Sequence, residues 1–234
     1  MDEVMRSRYA GLWMPALAVV VAFALWLQAP RELALGWLAE GSVVEMLTQT
    51  LYFALAPAVL LLRPAHDRQW PSWLAVSVVL AGFGAREADL HTAWTAKSVL
   101  KLSYYLGNAP WGQKLLAGLA VAAVATAAAW LVLRWAKPFW SALTCRQPVA
   151  VTVFVFVLTL VASKVFDRSV DILAQDFGVV LLASTRALMT ALEELLELSL
   201  PALAALAVLQ YRGASVKAGA ATSAREGSAI TCRS

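Results

Sequence analysis

Residues 73–91 read WLAVSVVLAGFGAREADLH and join an apolar run directly to a cluster of charge. The apolar part has the composition of a membrane helix, and it is followed by Arg86, Glu87, Asp89 and His91. Charged side chains in or beside a membrane segment cost free energy, so they are rare there and usually belong to functional sites. This stretch therefore predicts both a membrane span and a polar site at the end of that span.

The composition of the whole chain agrees with a membrane protein. Hydrophobic residues make up 61% and charged residues 15% of the chain, and the mean hydropathy is +0.69. Soluble domains carry about a quarter charged residues. Several apolar runs approach the roughly 20 residues with which a helix crosses a bilayer. We predict an all-α, polytopic membrane bundle with the lipid bilayer as its main partner, and the absence of nucleic-acid motifs predicts no nucleic-acid partner.

Six spans are the most economical division of the chain, at residues 12–27, 43–62, 73–88, 115–133, 149–166 and within 179–210. Lys and Arg concentrate at the N-terminus, in the second and fourth loops and after residue 211. Since basic loops stay in the cytoplasm, this bias predicts cytoplasmic N- and C-termini in a bacterial-type inner membrane. Residues 1–211 would form the bundle, and residues 212–234, rich in Gly, Ala and Ser, a disordered cytoplasmic tail. The first and fourth spans carry few polar groups and are expected to face lipid.

Four spans carry polar side chains at helical spacing near the ends that this topology places outside. Span by span, they are Glu45, Gln49 and Tyr52; Arg86, Glu87, Asp89 and His91; Lys164, Asp167, Arg168 and Asp171; and Glu193, Glu194 and Glu197. Spacings of three and four residues place each set on one helix face. Ionisable groups in spans usually face the bundle interior. We therefore predict an acidic pocket, open to the periplasmic side, where the four faces meet.

The charge balance of this pocket predicts a bound proton or cation. The four spans carry eight acidic side chains, one of which is Asp89. The fixed cations that face them are Arg86, Lys164, Arg168 and Arg186. If every group were ionised, the pocket would carry a net charge of about −4, which cannot persist in a low dielectric. Some carboxyl groups must be protonated, or the pocket must hold a cation.

One hypothesis for the pocket is a divalent metal site that acts on a lipid or lipid-linked substrate. Its metal ligands would be His91, Glu87, Glu193 and Glu197. Carboxylates with one imidazole suit Mg, Ca, Mn or iron better than zinc. A metal-bound water would attack an ester or amide, with Glu87, Glu194 or Asp167 as the catalytic base or acid. Glu45, Gln49 and Tyr52 would line this pocket.

Three other hypotheses need no metal. In the first, the charges form structural ion pairs, the pairs being Arg86 with Asp89 and Lys164 with Asp167 or Asp171, with Arg168 joining them. In the second, the protein is a proton- or cation-coupled transporter, which the apolar inner segments 51–62 and 202–210 disfavour. In the third, it is a subunit of a larger membrane complex. The sequence does not decide the oligomeric state, the substrate or whether the protein is an enzyme.

Overall fold

A computed structural model describes residues 7, 9–28, 42–64, 67, 69–90, 98–99 and 101–231, with side chains up to residue 216. This part of the chain is helical throughout, with turns between the helices. The helices are α1 (Ala10–Gln28), α2 (Val43–Leu61), α3 (Trp70–Glu87), α4 (Leu102–Leu106), α5 (Trp111–Thr144), α6 (Pro148–Gln175) and α7 (Ala183–Thr231). The helical fold class is confirmed.

Four of these helices, α1, α2, α5 and α6, are long and apolar enough to cross a membrane. This finding agrees with a polytopic membrane protein. Helices α3 and α7 occupy the places of the third and sixth predicted spans. The charged residues of α3, Arg86 and Glu87, are its last two, whereas acidic and basic side chains interrupt the apolar segment of α7. The count of six spans stays a prediction.

Helix α7 is the centre of the bundle. It packs against α6, α1 and α2, while α3 packs against α2 and α5. The larger buried cluster joins α2, α3 and α7, and its members are Tyr52, Ala56, Val59, Trp73, Leu80 and Leu200. In a membrane such contacts stabilise the bundle through close van der Waals packing, because lipid is as apolar as the side chains themselves.

The two spans that were expected to face lipid differ in the structure. No residue of α5 is buried, as expected for a peripheral helix. Helix α1, in contrast, packs along α7 and buries Ala18 and Ala22. Small residues let two helix backbones approach closely. The small side chains of α1 explain its packing against α7, whereas its low polarity alone had suggested contact with lipid.

The helices run antiparallel in a way that defines two ends of the bundle. At the charged end, α1, α3 and α6 finish and α2 and α7 begin. There the indole Nε1 of Trp26 donates a hydrogen bond to the carbonyl of Ser184, 3.0 Å away. The charged end therefore brings together the predicted outer ends of the spans.

At the opposite end, aromatic side chains fix α7 against α3 and α5. The ring of Tyr211 makes edge-to-face contacts with Trp73 and Trp135. Trp73 donates through Nε1 to Asp67 at 2.8 Å, and Trp135 donates to Ser72 at 3.1 Å. Each buried indole N–H thus has an acceptor, as such groups require. Beyond this cluster α7 continues as a helix to Thr231, and the disordered tail at 212–234 stays a prediction.

Candidate functional site

An ion pair between α6 and α7 lies at the centre of the charged end. The Lys164 ammonium group contacts Oε1 of Glu197. The Glu197 side chain is only 8% exposed and that of Lys164 is 29% exposed. Burying an ionised carboxylate costs several kcal/mol unless a partner compensates it. Lys164 supplies that compensation. Separation of the two helices would therefore cost free energy, because it would leave a buried charge without its partner.

A second carboxyl group approaches the same pair from α3. The side chain of Glu87 is 12% exposed and lies within hydrogen-bonding reach of the Glu197 carboxyl group. Arg86, its neighbour in sequence, approaches Glu87 with Nη1 3.5 Å from Oε1. Arg86 thus contacts Glu87, and α3 brings one carboxyl group into the cluster. The predicted pairing of Arg86 with Asp89 stays a prediction.

Tyr52 of α2 lies beside this buried cluster. The residue is 1% exposed, and its hydroxyl has no hydrogen-bond partner among the described residues. The hydroxyl lies in the electrostatic range of Glu87 and Glu197. Its ring stacks on Phe83 at 5.6 Å between centroids. Tyr52 therefore presents an unused hydrogen-bond donor beside two carboxyl groups.

Close backbone packing holds Tyr52 against α3. Gly84 faces it, and a Cβ atom at Gly84 would lie 3.1 Å from the Tyr52 Cβ atom and 3.3 Å from the Phe53 ring. A larger residue would push α2 and α3 apart, and the hydroxyl would move away from Glu87. Gly84 is thus required for the geometry of the site.

Two further glutamates of α7 surround the ion pair. Glu193 has Asp167 and Glu197 as acidic neighbours and Lys164 as a basic one. The charged neighbours of Glu194 are carboxyl groups, those of Glu197, Glu193, Glu45 and Glu87. Carboxyl groups of α2, α3, α6 and α7 are thus electrostatic neighbours in the structure, and the predicted pocket open to the periplasmic side stays a prediction.

A cavity of about 270 Å³ opens beside this cluster, between the end of α6 and the start of α7. Its lining combines three carboxyl groups, one guanidinium, one hydroxyl and two small apolar side chains, which are Asp167, Asp171, Glu193, Arg186, Thr190, Val170 and Ala174. Glu193 belongs both to the cavity and to the surroundings of the Lys164–Glu197 pair. The buried cluster and the open cavity therefore share one side chain.

The remaining predicted site residues lie in several environments. Arg168 approaches Asp167 with Nε 3.8 Å from Oδ2, but its side chain is 74% exposed, so this pair contributes little stability. Gln49 is half-buried on α2. Asp89 adopts a left-handed backbone conformation, with φ of 47°, just after α3. His91 lies outside the described residues.

The metal hypothesis gains no support from the part of the chain that the structure describes. There, no group of three or more His, Cys, Asp or Glu side chains is arranged to hold a metal ion. Lys164 contacts Oε1 of Glu197, one of the predicted ligands. His91, the predicted imidazole ligand, is not among the described residues, so the metal site stays a hypothesis.

A row of buried polar side chains on α6 and α7 was not predicted from the sequence. The row consists of Thr152, Thr159, Ser163, Ser199 and Gln210, each 7% exposed or less. Its members on α6 recur at i, i+7 and i+11, which is the spacing of one helix face. That periodicity was the available signal, but Ser and Thr are nearly neutral in hydropathy and stood inside strongly apolar segments.

Comparisons of the chain with protein-family models, with curated proteins and with solved structures found no match. The site is therefore interpreted from its own geometry and chemistry.

Proposed function

We propose that this chain is a six-span inner-membrane protein that binds an ammonium-bearing, membrane-associated ligand at the charged end and exchanges a proton on binding. The observation that carries the proposal is the double position of Glu193, in the wall of the cavity and beside the buried Lys164–Glu197 pair. Binding in the cavity thereby changes the charge next to the buried cluster. The basic loops of the sequence support a periplasmic position for the charged end.

The cavity lining favours a ligand that carries both charges. Asp167, Asp171 and Glu193 offer carboxylates to an ammonium group, while Arg186 offers a guanidinium to a phosphate. No ion pair joins Arg186 to any described carboxylate. Val170 and Ala174 add an apolar wall. A phosphoethanolamine group, as in an aminophospholipid head group, has this combination of charges.

The buried cluster supplies the proton. Glu87 lies within hydrogen-bonding reach of Glu197, and two carboxyl groups in contact repel each other unless one of them is protonated. Lys164 balances one negative charge, and the other carboxyl group then holds a proton. When an ammonium group binds near Glu193, the added positive charge favours the ionised form of the neighbouring carboxyl groups. The expected result is release of a proton to water.

Isothermal titration calorimetry on the purified full-length protein in nanodiscs tests this proposal. Phosphoethanolamine is titrated in two buffers that differ in ionisation enthalpy. We expect heats that differ between the buffers, because protons released on binding are taken up by the buffer. We expect Arg186→Gln to weaken binding about tenfold or more, since it removes a charge-assisted hydrogen bond. Glu193→Gln is expected to remove the buffer dependence.

The matched control is Arg212→Gln, which removes an exposed guanidinium near the opposite end of the bundle. It is expected to bind like the wild type. Phosphocholine, which lacks ammonium N–H donors, is expected to bind more weakly than phosphoethanolamine. Equal binding by the Arg186 and Arg212 variants, or identical heats in both buffers, would contradict the proposal.

A further inference from the structure

The row of buried polar side chains on α6 and α7 begins, in sequence, beside the Lys164–Glu197 pair. Ser163 precedes Lys164 on α6 and is fully buried, and Ser199 follows Glu197 on α7 by two residues and is 7% exposed. Farther along α6, Thr159 is 5% exposed. These side chains are buried in the bundle, so lipid does not reach them.

The row ends close to the opposite end of the bundle. Thr152 is fully buried and donates its hydroxyl hydrogen to Oε1 of Gln210 over 2.8 Å. Gln210 is 7% exposed, and its Nε2 atom is buried without a hydrogen-bond partner among the described residues. An unused buried donor costs about 1–3 kcal/mol. The Nε2 group of Gln210 can therefore donate a hydrogen bond to a water or a ligand at this point of the interface.

The row is long enough to cross most of the membrane. Lys164 and Thr152 are separated by about 18 Å along α6, and Glu197 and Gln210 by about 20 Å along α7, at 1.5 Å per residue. The hydrocarbon core of a bilayer is about 30 Å thick. The polar row therefore reaches from the cluster through the inner half that appeared purely apolar in the sequence.

We propose that the hydroxyls of Ser163, Thr159 and Thr152 carry protons between the Glu87–Glu197 cluster and the opposite end of the bundle. A hydroxyl accepts a proton on its oxygen while it passes its own hydrogen onward, so a row of hydroxyls and waters can relay protons. Gln210 positions Thr152 and does not itself relay, so the Thr152 hydroxyl must rotate from Gln210 to a water to pass its hydrogen onward. This inference rests on the proton-holding cluster of the proposed function and extends that function from binding to proton passage across the membrane.

The spacing of the hydroxyls determines where water must take part. Ser163 and Thr159 are about 6 Å apart along the helix axis, and Thr159 and Thr152 about 10 Å. A single water can bridge the first step, while the second needs a short chain of waters. The hydroxyl of Ser163 donates to the carbonyl of Leu160 at 3.0 Å, and it must rotate to pass a proton. Breaking such a bond costs only about 1 kcal/mol.

Proton flux in proteoliposomes tests the pathway. Full-length protein is reconstituted into vesicles that contain the pH-sensitive dye pyranine, and a potassium diffusion potential set with valinomycin drives protons inward. We expect the wild type to acidify the lumen faster than protein-free vesicles do. Thr159→Val, which replaces the hydroxyl by a methyl group of similar size, is expected to lower the rate at least tenfold. Thr159→Ser, which keeps a hydroxyl, is expected to retain most of it.

The matched control is Thr50→Val, because Thr50 is exposed and its hydroxyl bonds only to the carbonyl of Met46 on its own helix. Its flux should equal that of the wild type. If Thr159→Val does not yield folded protein, the flux of Ser163→Ala is measured instead, and the same loss is expected. Flux no greater than in protein-free vesicles, or equal flux in the valine and serine variants at position 159, would overturn the pathway.

Calorimetry on the same preparations separates the two proposals. Thr159→Val is expected to bind phosphoethanolamine like the wild type, because the substitution lies outside the cavity. Binding with proton release but without flux would overturn the pathway and leave the proposed binding function standing. Flux without binding of phosphoethanolamine would support the pathway and overturn the ligand assignment.

Discussion

The ammonium group of Lys164 on α6 meets the carboxylate of Glu197 on α7 inside the bundle, where the carboxylate is 8% exposed. The pair joins the two helices that share the most extensive contact of the fold. It also sets the charge of the buried cluster, because each further carboxyl group near Glu197 must be protonated or find another cation. Stability and the proposed proton release therefore involve the same two side chains.

Removal of one member of this pair is expected to destabilise the bundle. Lys164→Met leaves Glu197 buried without its cation, and breaking a buried pair in this way costs about 3–5 kcal/mol. Replacing both partners with apolar residues, as in Lys164→Met with Glu197→Leu, should restore most of this loss. Denaturant unfolding followed by tryptophan fluorescence in detergent measures both effects.

An exposed cation on the same helix provides the control for this prediction. Arg168→Gln removes a side chain that is 74% exposed, and its effect is expected to stay below about 0.5 kcal/mol. A double variant that is no more stable than Lys164→Met alone would show that the pair contributes packing rather than charge compensation.

The contact of α5 with α3 is expected to depend on Gly82. A Cβ atom at this position would lie 2.9 Å from both methyl groups of Val124. Gly82→Ala should therefore cost about 1–3 kcal/mol through overpacking, and an additional Val124→Ala should recover part of it. Gly112→Ala, at a glycine with no atom within 4 Å of the added Cβ, is the control. Equal unfolding midpoints for the two single variants would contradict this prediction.

The Thr152–Gln210 hydrogen bond is expected to contribute to stability as a unit. Thr152→Val leaves the Gln210 amide without its donor, and an unsatisfied buried polar group costs about 1–3 kcal/mol. The double variant Thr152→Val with Gln210→Leu removes both polar partners and should approach the wild type. Thr144→Val, at an exposed hydroxyl that bonds to the carbonyl of Ser141, should change the unfolding free energy little. A double variant less stable than either single variant would contradict this prediction.

Labelling of cysteines in intact cells tests the predicted topology. Arg168 lies at the charged end with a side chain that is 74% exposed, and Cys145 is an exposed free cysteine in the turn between α5 and α6. A membrane-impermeant maleimide should label Arg168→Cys in a background in which Cys145 and Cys232 are replaced by serine. The native Cys145 should react only after the cells are lysed. Labelling of both positions from outside would exclude the proposed orientation.

Helix positions were predictable from hydropathy, while helix lengths were not. The apolar segment at 149–166 locates α6, but the helix extends from Pro148 to Gln175. In the same way α5 extends from Trp111 to Thr144 around the segment 115–133. Hydropathy detects the part of a helix that suits lipid, whereas backbone hydrogen bonding continues into the polar regions where side chains meet water.

The faces of the helices were predictable from spacing, but the partners across them were not. Spacings of three and four residues placed the acidic groups of each helix on one face. They could not show that Lys164 meets Glu197 rather than Asp167 or Asp171, because that choice depends on how α6 and α7 are rotated about their axes. Packing of small and large side chains sets this rotation.

The hydrogen bond from Trp26 to Ser184 spans 158 positions of sequence, and it has a consequence for how the protein is made. Helix α1 leaves the ribosome before α7, yet α7 is its main packing partner. Until α7 has been inserted, lipid covers much of the face with which α1 contacts it. Closure of the bundle is thus a late event in biogenesis, and a chain truncated before α7 would leave α1 with only its smaller contact with α6.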